Sequence, residues 1–193
     1  MGWSTAERSV RAMVAAKRWR HVAGVVEMAR ELAALNGVDV EAAALAGLLH
    51  DAARDWDRER LRQAALEWDG ALDPIEWEAA ELLHGPAAAS WARRELGVED
   101  REVLAAVRFH TTGRPEPSPI EMVLVVADYS EPSREFSEAV HIREVARHDL
   151  LKAYRLSLDA RLRYLLDTGK VMHPRTVAAR NWALLARAGD RHD

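Results

Sequence analysis

Residues 40–51 read VEAAALAGLLHD, an apolar stretch with one charged side chain, Glu41, before it ends in His50 and Asp51. Ala and Leu favour helix, and Asp39 just before the stretch is a good N-cap residue. A carboxylate next to an imidazole is costly to bury unless it is paired or binds a metal ion. A lone His-Asp pair more often marks an ordinary helix C-terminus. The stretch therefore predicts a buried helix, and whether its end carries chemistry depends on the rest of the chain.

Segments on both sides of this stretch also show helical signals. Apolar residues from Val22 to Ala33 recur at a spacing of three and four, and Asn36-Gly37 supplies a C-terminal stop. Ser4 to Glu7 resembles a capping box. Asp73-Pro74 is a start signal, and we expect the helix that it opens to end near His84-Gly85-Pro86.

The second half of the chain continues the same pattern. A segment from about Glu99 leads to His110, and residues 113–119, GRPEPSP, form the clearest loop. The apolar run 120–129 contains three valines, but its helical neighbours favour a buried helix over a strand. Leucines between 151 and 165 predict an amphipathic helix that ends at Gly169, and His173-Pro174 opens the last helix. The fold class predicted is all-α, with roughly eight to eleven helices in a single domain over residues 1–193.

The composition limits the kinds of function that this chain can have. It has 193 residues, no Cys and a formal net charge of -4. Any metal must therefore take imidazole and carboxylate ligands, and the charge argues against a broad nucleic-acid surface. The N-terminus lacks the apolar run of a signal peptide, and no stretch is long enough to span a bilayer. We expect a cytoplasmic protein that binds neither nucleic acid nor membrane.

Six residues form an ordered series of histidines and aspartates. Each follows or interrupts a hydrophobic helical segment, and independent core histidines would rarely all do so; the series is His21, His50, Asp51, His84, His110 and Asp128. The other three histidines outside the C-terminal His-Pro segment (His141, His148 and His192) have no such context. The series favours a metal site of imidazole and carboxylate ligands.

The order H…HD…H…H…D resembles the HD superfamily of metal-dependent phosphohydrolases. More narrowly, the chain resembles the YqeK-type family of symmetrical diadenosine tetraphosphate hydrolases, over about residues 17–182. The specific motifs are HTTGR at 110–114, ADYSEP at 127–132 and HPRT at 173–176, with RWRH at 18–21 and LHGP at 83–86 in support. One departure is Arg54, where the family usually has Lys. This keeps the positive charge but replaces a point charge with a planar fork.

The resemblance implies an HD-domain helical bundle and a set of site residues. His21, His50, Asp51 and Asp128 would bind the principal metal, and His84 and His110 would complete a second metal position or contact phosphate, with Asp51 as the bridging ligand. Asp51, Arg54, His84 and His110 would carry catalysis. Phosphate and nucleotide contacts are expected from the same residues Arg54, His84 and His110 together with Arg18, Thr111, Arg134, His173, Pro174, Thr176 and Arg180, with Arg114 a weaker candidate.

The resemblance also implies a cofactor and a substrate. One or two divalent ions are expected, with iron favoured and manganese or another first-row metal open. The substrate would be a small dinucleoside polyphosphate, diadenosine tetraphosphate cut into two ADP, and the family allows a homodimer. Two alternatives stay open: another HD phosphohydrolase, such as a nucleotidase or cyclic-nucleotide phosphodiesterase, and a non-catalytic nucleotide sensor. A sensor would be expected to have lost ligands, whereas all six are present here.

Overall fold

The computed structural model describes residues 2–189 of the chain, and within them it contains α-helices, one short 3₁₀ turn at 80–82 and no strand. This confirms the all-α prediction and its range of helix numbers. The helices are α1 Trp3–Met13, α2 Ala16–Leu35, α3 Val40–Leu49, α4 Arg58–Asp69, α5 Pro74–Glu78, α6 His84–Leu96, α7 Arg101–Phe109, α8 Pro119–Ser130, α9 Ser137–Ala146, α10 Leu150–Asp167 and α11 Pro174–Gly189. His192 lies outside the described residues, and no described helix is long and apolar enough to cross a membrane.

Four helices form the centre of the bundle. α2 packs against α3 and α8, and α7 packs against the same two helices. α6 lies along α7, and α10 lies against α8, α9 and α11. Ala is the most frequent of the buried hydrophobic residues, and its small side chain lets the helices approach closely. The six predicted metal ligands lie on or next to these central helices.

Helix α3 is the apolar stretch that precedes His50 and Asp51. Asp39 accepts hydrogen bonds from the backbone N–H groups of Glu41 and Ala42, as its position predicted. Helix α8 confirms that residues 120–129 are a buried helix. Ser118 and Glu121 form a capping box at its start, and Pro119 occupies the first helical position. These local signals outweigh the β-propensity of its valines.

Two boundaries differ from the sequence prediction. His84-Gly85-Pro86 begins α6 and does not end the helix that Asp73 opens, because α5 stops at Glu78. Pro86 lies in the first turn of α6, where a backbone N–H has no intrahelical acceptor, so proline costs the helix no hydrogen bond there. Ser4 is inside α1, whose N-cap is Gly2 without a side-chain cap, so the predicted capping box is wrong.

Candidate active site

Ends of several helices meet at one place and bring the predicted series together. His21 comes from the second turn of α2 and Asp128 from the last turn of α8. His50 and Asp51 follow α3, His110 follows α7 and His84 opens α6. Glycine at position 85 makes this approach possible, since a Cβ there would lie 2.8 Å from the carbonyl oxygen of Arg108. The helix termini therefore bring six polar side chains together at one place in the bundle.

Three of the histidines are held by the same local device. The Nδ1 atoms of His50, His84 and His110 lie 2.7, 2.6 and 2.8 Å from the carbonyl oxygens of Gly47, Glu81 and Val107, each three residues earlier in the chain. A carbonyl oxygen can only accept, so Nδ1 carries the proton and donates it. The lone pair of each ring is then on Nε2, which faces the centre of the cluster. Metal-binding histidines are typically oriented in this way.

His21 is held by a carboxylate in place of a carbonyl. Its Nδ1 lies 3.3 Å from Oε1 of Glu131, and its Nε2 lies 3.2 Å from Oδ1 of Asp128. A carboxylate behind a ligand histidine makes the imidazole more basic and fixes its orientation. Glu131 is nearly fully buried, and it also accepts hydrogen bonds from Ser133. The sequence analysis quoted Glu131 only as part of a motif and missed this role.

Asp51 lies between two groups of ligand atoms. On one side, its Oδ2 is 3.5 Å from Nε2 of His50 and 3.8 Å from Nε2 of His21. On the other side, its Oδ1 is 3.2 Å from Nε2 of His84, which is 2.9 Å from Nε2 of His110. Each side offers three atoms close enough to share one ion, and Asp51 belongs to both sets.

Burial and neighbouring charges set the protonation of the cluster. Burial lowers the pKa of His50 and, together with the neighbouring His84, holds that of His110 well below its ordinary value. Burial alone would raise the pKa of Asp51, but the charges of His50 and His84 outweigh it and hold the pKa well below the usual range. The pKa of His21 is raised, because contacts with Asp128 outweigh the effect of burial. Metal ligation requires ionised carboxylates and neutral imidazoles; Asp51, His50 and His110 favour these states, and His21 would release its proton on binding an ion.

The residues present fit a divalent metal ion. The Nε2 atom of His50 is fully buried and has no hydrogen-bond partner among the described residues, which is costly unless an ion supplies the missing contact. The Nδ1 atoms of His84 and His110 both donate to carbonyls, so both Nε2 atoms carry lone pairs. These two Nε2 atoms face each other, and neither has a proton to donate to the other. The chain has no cysteine, so its metal ligands must be imidazole nitrogens and carboxylate oxygens, and this ligand set suits first-row transition metals.

Positively charged side chains surround the carboxylates. Nη1 of Arg18 lies 2.9 Å from Asp51, and Arg134 is 3.9 Å from Asp128. Nη1 of Arg54 lies 2.9 Å from Nδ1 of His84, beside the edge that faces the Glu81 carbonyl. The structure thus brings these three predicted cations to the cluster.

Arg161 is a cation that the sequence analysis missed. It lies on α10, donates to the carbonyl oxygens of His110 and Thr111, and has Nη2 3.5 Å from Oδ2 of Asp128. It therefore ties the segment after α7 to the carboxylate on α8. An arginine in an amphipathic helix carries no motif, so nothing in the sequence separated it from a solvated surface residue.

The predicted nucleotide residues of the C-terminal motif lie in a second cluster. His173 and Thr176 are buried, and Pro174 opens α11 as predicted. Nε2 of His173 is 3.8 Å from the buried carboxylate of Glu76, which also pairs with Arg108 and Arg175. The metal-ligand groups do not include His173.

Two predicted arginines are engaged in ion pairs elsewhere. Arg180 donates from Nε to Asp159 at 2.8 Å, on the face between α11 and α10. Arg114 forms a two-pronged pair with Glu121, the residue that also completes the capping box of α8. Arg114 thus stabilises the start of α8, whereas Arg180 retains 34% side-chain exposure.

Comparisons with known proteins agree with this geometry. The HD domain family matches residues 18–133. The chain is 40% identical to the symmetrical bis(5'-nucleosyl)-tetraphosphatase of Halalkalibacterium halodurans, over 87% of this chain and 89% of that protein. It is 34% identical to the protein of the same name from Bacillus subtilis, over 86% and 88% of the two chains.

A solved structure shows the same fold. The crystal structure of a predicted HD superfamily hydrolase involved in NAD metabolism, from Clostridium acetobutylicum, superposes with a TM-score of 0.92 at 33% identity and covers 96% of this chain and 98% of that chain. The folds, the sequence matches and the converging histidines and aspartates lead to one assignment. This chain belongs to the HD-domain family and, within it, to the family of the symmetrical bis(5'-nucleosyl)-tetraphosphatases.

Proposed function

We propose that the protein hydrolyses diadenosine tetraphosphate symmetrically and releases two ADP. The observation that carries the proposal is the convergence of four imidazole Nε2 atoms on Asp51 and Asp128, each ring held from behind at Nδ1 by an oxygen. The names of relatives that share most of their length with this chain support the choice of substrate.

Two sets of residues would hold divalent metal. His21, His50, Asp51 and Asp128 form the first, and His84 and His110 complete a second with Asp51 shared between them. In such a site a bound ion supplies water activation at neutral pH and polarisation of a phosphoryl oxygen. The ligand set suits iron, manganese and other first-row metals, and the family resemblance favours iron among them.

The chain's own residues would bind and orient the four-phosphate chain. Hydrolysis breaks the central P–O bond: the water oxygen becomes bonded to one phosphorus, and the departing ADP takes the bridging oxygen with its electron pair. ADP is a reasonable leaving group for an anhydride, so a strong general acid is less necessary. Arg18, Arg54 and Arg134 border the cluster and are placed to neutralise charge that builds up on the phosphates.

The remaining assignments concern the nucleotide. Thr111 has a buried hydroxyl without a hydrogen-bond partner among the described residues, and a phosphate oxygen that reached it would supply the missing contact. His173, Pro174 and Thr176, at the start of α11, are assigned to the nucleotide, since a helix N-terminus attracts anions. Arg180 would have to exchange its pair with Asp159 for a phosphate. Iron as the metal, a homodimer and cytoplasmic location stay predictions.

The test is a product analysis. Anaerobically purified, iron-loaded protein is incubated with diadenosine tetraphosphate, and the nucleotides are separated. ADP as the sole product is expected, and the Asp51→Ala variant should lose both the bound metal and the turnover. AMP with ATP would contradict symmetrical cleavage. No turnover in protein whose metal content has been measured would point to another HD substrate or to the sensor alternative.

A further inference from the structure

A basic cleft opens beside the metal-ligand cluster. It has a volume of about 550 Å³, within the usual range for ligand pockets, and the cluster residue His21 forms part of its wall. Its four cations are Lys17, Arg18, Arg20 and Arg134. The cleft therefore runs from the predicted site of cleavage to solvent along a line of positive charge.

The acids in the basic cleft are already used by the protein. Asp55 accepts a hydrogen bond from the backbone N–H of Ala15 at 3.3 Å. Glu131 accepts from Ser133 and lies against His21. Both carboxylates keep their negative charge, but the lining carries four cations against these two acids, so its net charge is positive.

The cations fall into an inner and an outer pair. Arg18 and Arg134 contact the carboxylates of Asp51 and Asp128, so they mark the inner end. Lys17 and Arg20 are exposed at the outer end, and their side chains make no hydrogen bond or ion pair within residues 2–189. Two cations without an ion-pair partner, next to two that pair with carboxylates, form the arrangement expected for a ligand with several negative charges.

Folding does not explain the outer pair. Lys17 and Arg20 lie in the first turns of α2, which has no acidic residue in its first turn and no side-chain cap. The partial positive charge of a helix N-terminus makes cations unfavourable there. Lys17 and Arg20 therefore lower the stability of α2, and we attribute their presence to ligand binding.

We infer that the basic cleft binds one of the two nucleoside diphosphate halves of the substrate, an inference that rests on the proposed function. The phosphate next to the broken bond contacts Arg18 and Arg134. The phosphate attached to the nucleoside lies towards Lys17 and Arg20. The other half extends towards Thr111 and His173, so that a symmetrical cut leaves one ADP on each side of the cluster.

The test compares two double charge reversals. Lys17→Glu with Arg20→Glu alters the outer end of the cleft, and Arg101→Glu with Lys170→Glu makes the same change in net charge at exposed positions that do not line it. ADP is titrated calorimetrically into the metal-loaded proteins, and KM and kcat for diadenosine tetraphosphate are measured at low ionic strength. The melting temperature reports folding, and an acid at the start of α2 should not lower it.

We expect the cleft variant to raise the Kd for ADP and the KM by about ten-fold or more, with a smaller fall in kcat, because each reversal replaces attraction by repulsion. The control variant should change both by less than about two-fold, because its side chains do not line the cleft. A cleft variant that matches the control would overturn the inference. If the wild-type protein released AMP and ATP, the proposed function would fail, while the ADP titration would still decide whether the cleft binds a nucleoside diphosphate.

Discussion

Gly85→Ala should separate the two halves of the metal-ligand cluster. The added Cβ would lie 2.8 Å from the carbonyl oxygen of Arg108 and 3.0 Å from that of Val107. Both contacts are with backbone of α7, which cannot move aside as a flexible side chain would. To reach ordinary contact, the start of α6 must shift by about 0.6 Å, and His84 shifts with it.

The expected cost follows from this displacement. Overpacking costs about 1–3 kcal/mol, and the better helix propensity of Ala returns up to about 1 kcal/mol. A net loss of about 1–2 kcal/mol lowers the melting temperature by about 2–8 °C in a chain of this size. Functional geometry tolerates only about 0.5 Å. We therefore expect metal affinity to fall by about 10–100-fold, as when a supporting partner is lost.

The assay is calorimetry of the metal-free protein, followed by titration with Mn²⁺. Gly47→Ala is the matched control for stability, because its added Cβ comes no closer than 3.4 Å to any heavy atom outside its own helix. That variant should keep or raise the melting temperature. Unchanged melting temperature and unchanged Mn²⁺ affinity in Gly85→Ala would refute the claim that close contact between α6 and α7 holds His84 opposite His110.

Three further variants test individual contacts. Glu131→Gln leaves His21 an amide in place of a carboxylate partner, and metal affinity should fall by about 10–100-fold in a metal titration; an unchanged affinity would show that the carboxylate does not support the ring. Arg161→Met removes hydrogen bonds to two carbonyls and the charge beside Asp128, so urea unfolding should show a loss of about 2–3 kcal/mol, whereas equal stability would make Arg161 a surface residue. Burial and the charge of Arg175 lower the pKa of His173. As pH falls, His173 is therefore protonated in the unfolded chain before it is protonated in the folded protein, and the stability that neutral His173 contributes is lost below about pH 6.5. A His173→Gln variant whose stability has the same pH dependence as that of the wild type between pH 7 and 5 would contradict this.

Most of the helical architecture could be predicted from short-range signals. Asp39 and Asn36-Gly37 act within one turn of the backbone that they cap, so their effect can be predicted without knowing what the helix packs against. The predicted helix end at His84-Gly85-Pro86 was wrong, because the local signal at these residues is ambiguous. Gly and Pro are compatible with a helix end and with a first turn, and the choice depends on the packing of α6 against α7.

The candidate site was predictable only in part. Its six potential ligands follow hydrophobic helical segments in a specific order, and that order carries their identity. The residues that support these ligands, Glu131 and Arg161, could not be predicted in this way. Glu131 lies 110 residues from His21 along the chain, and Arg161 lies 51 residues from His110. Neither contact has a local pattern, because it exists only once the helices have packed.

The sequence by itself thus determined an all-helical chain, the residues able to bind metal, and the resemblance to a family of phosphohydrolases. These properties depend on residue type, spacing along a helix and order along the chain. Only the tertiary structure decided that Glu131 holds His21, that Arg114 and Arg180 are paired with acids, and that the side chains of Lys17 and Arg20 lie in a cleft without an ion pair among residues 2–189. Those properties depend on distances between side chains from different helices, and helix packing sets those distances.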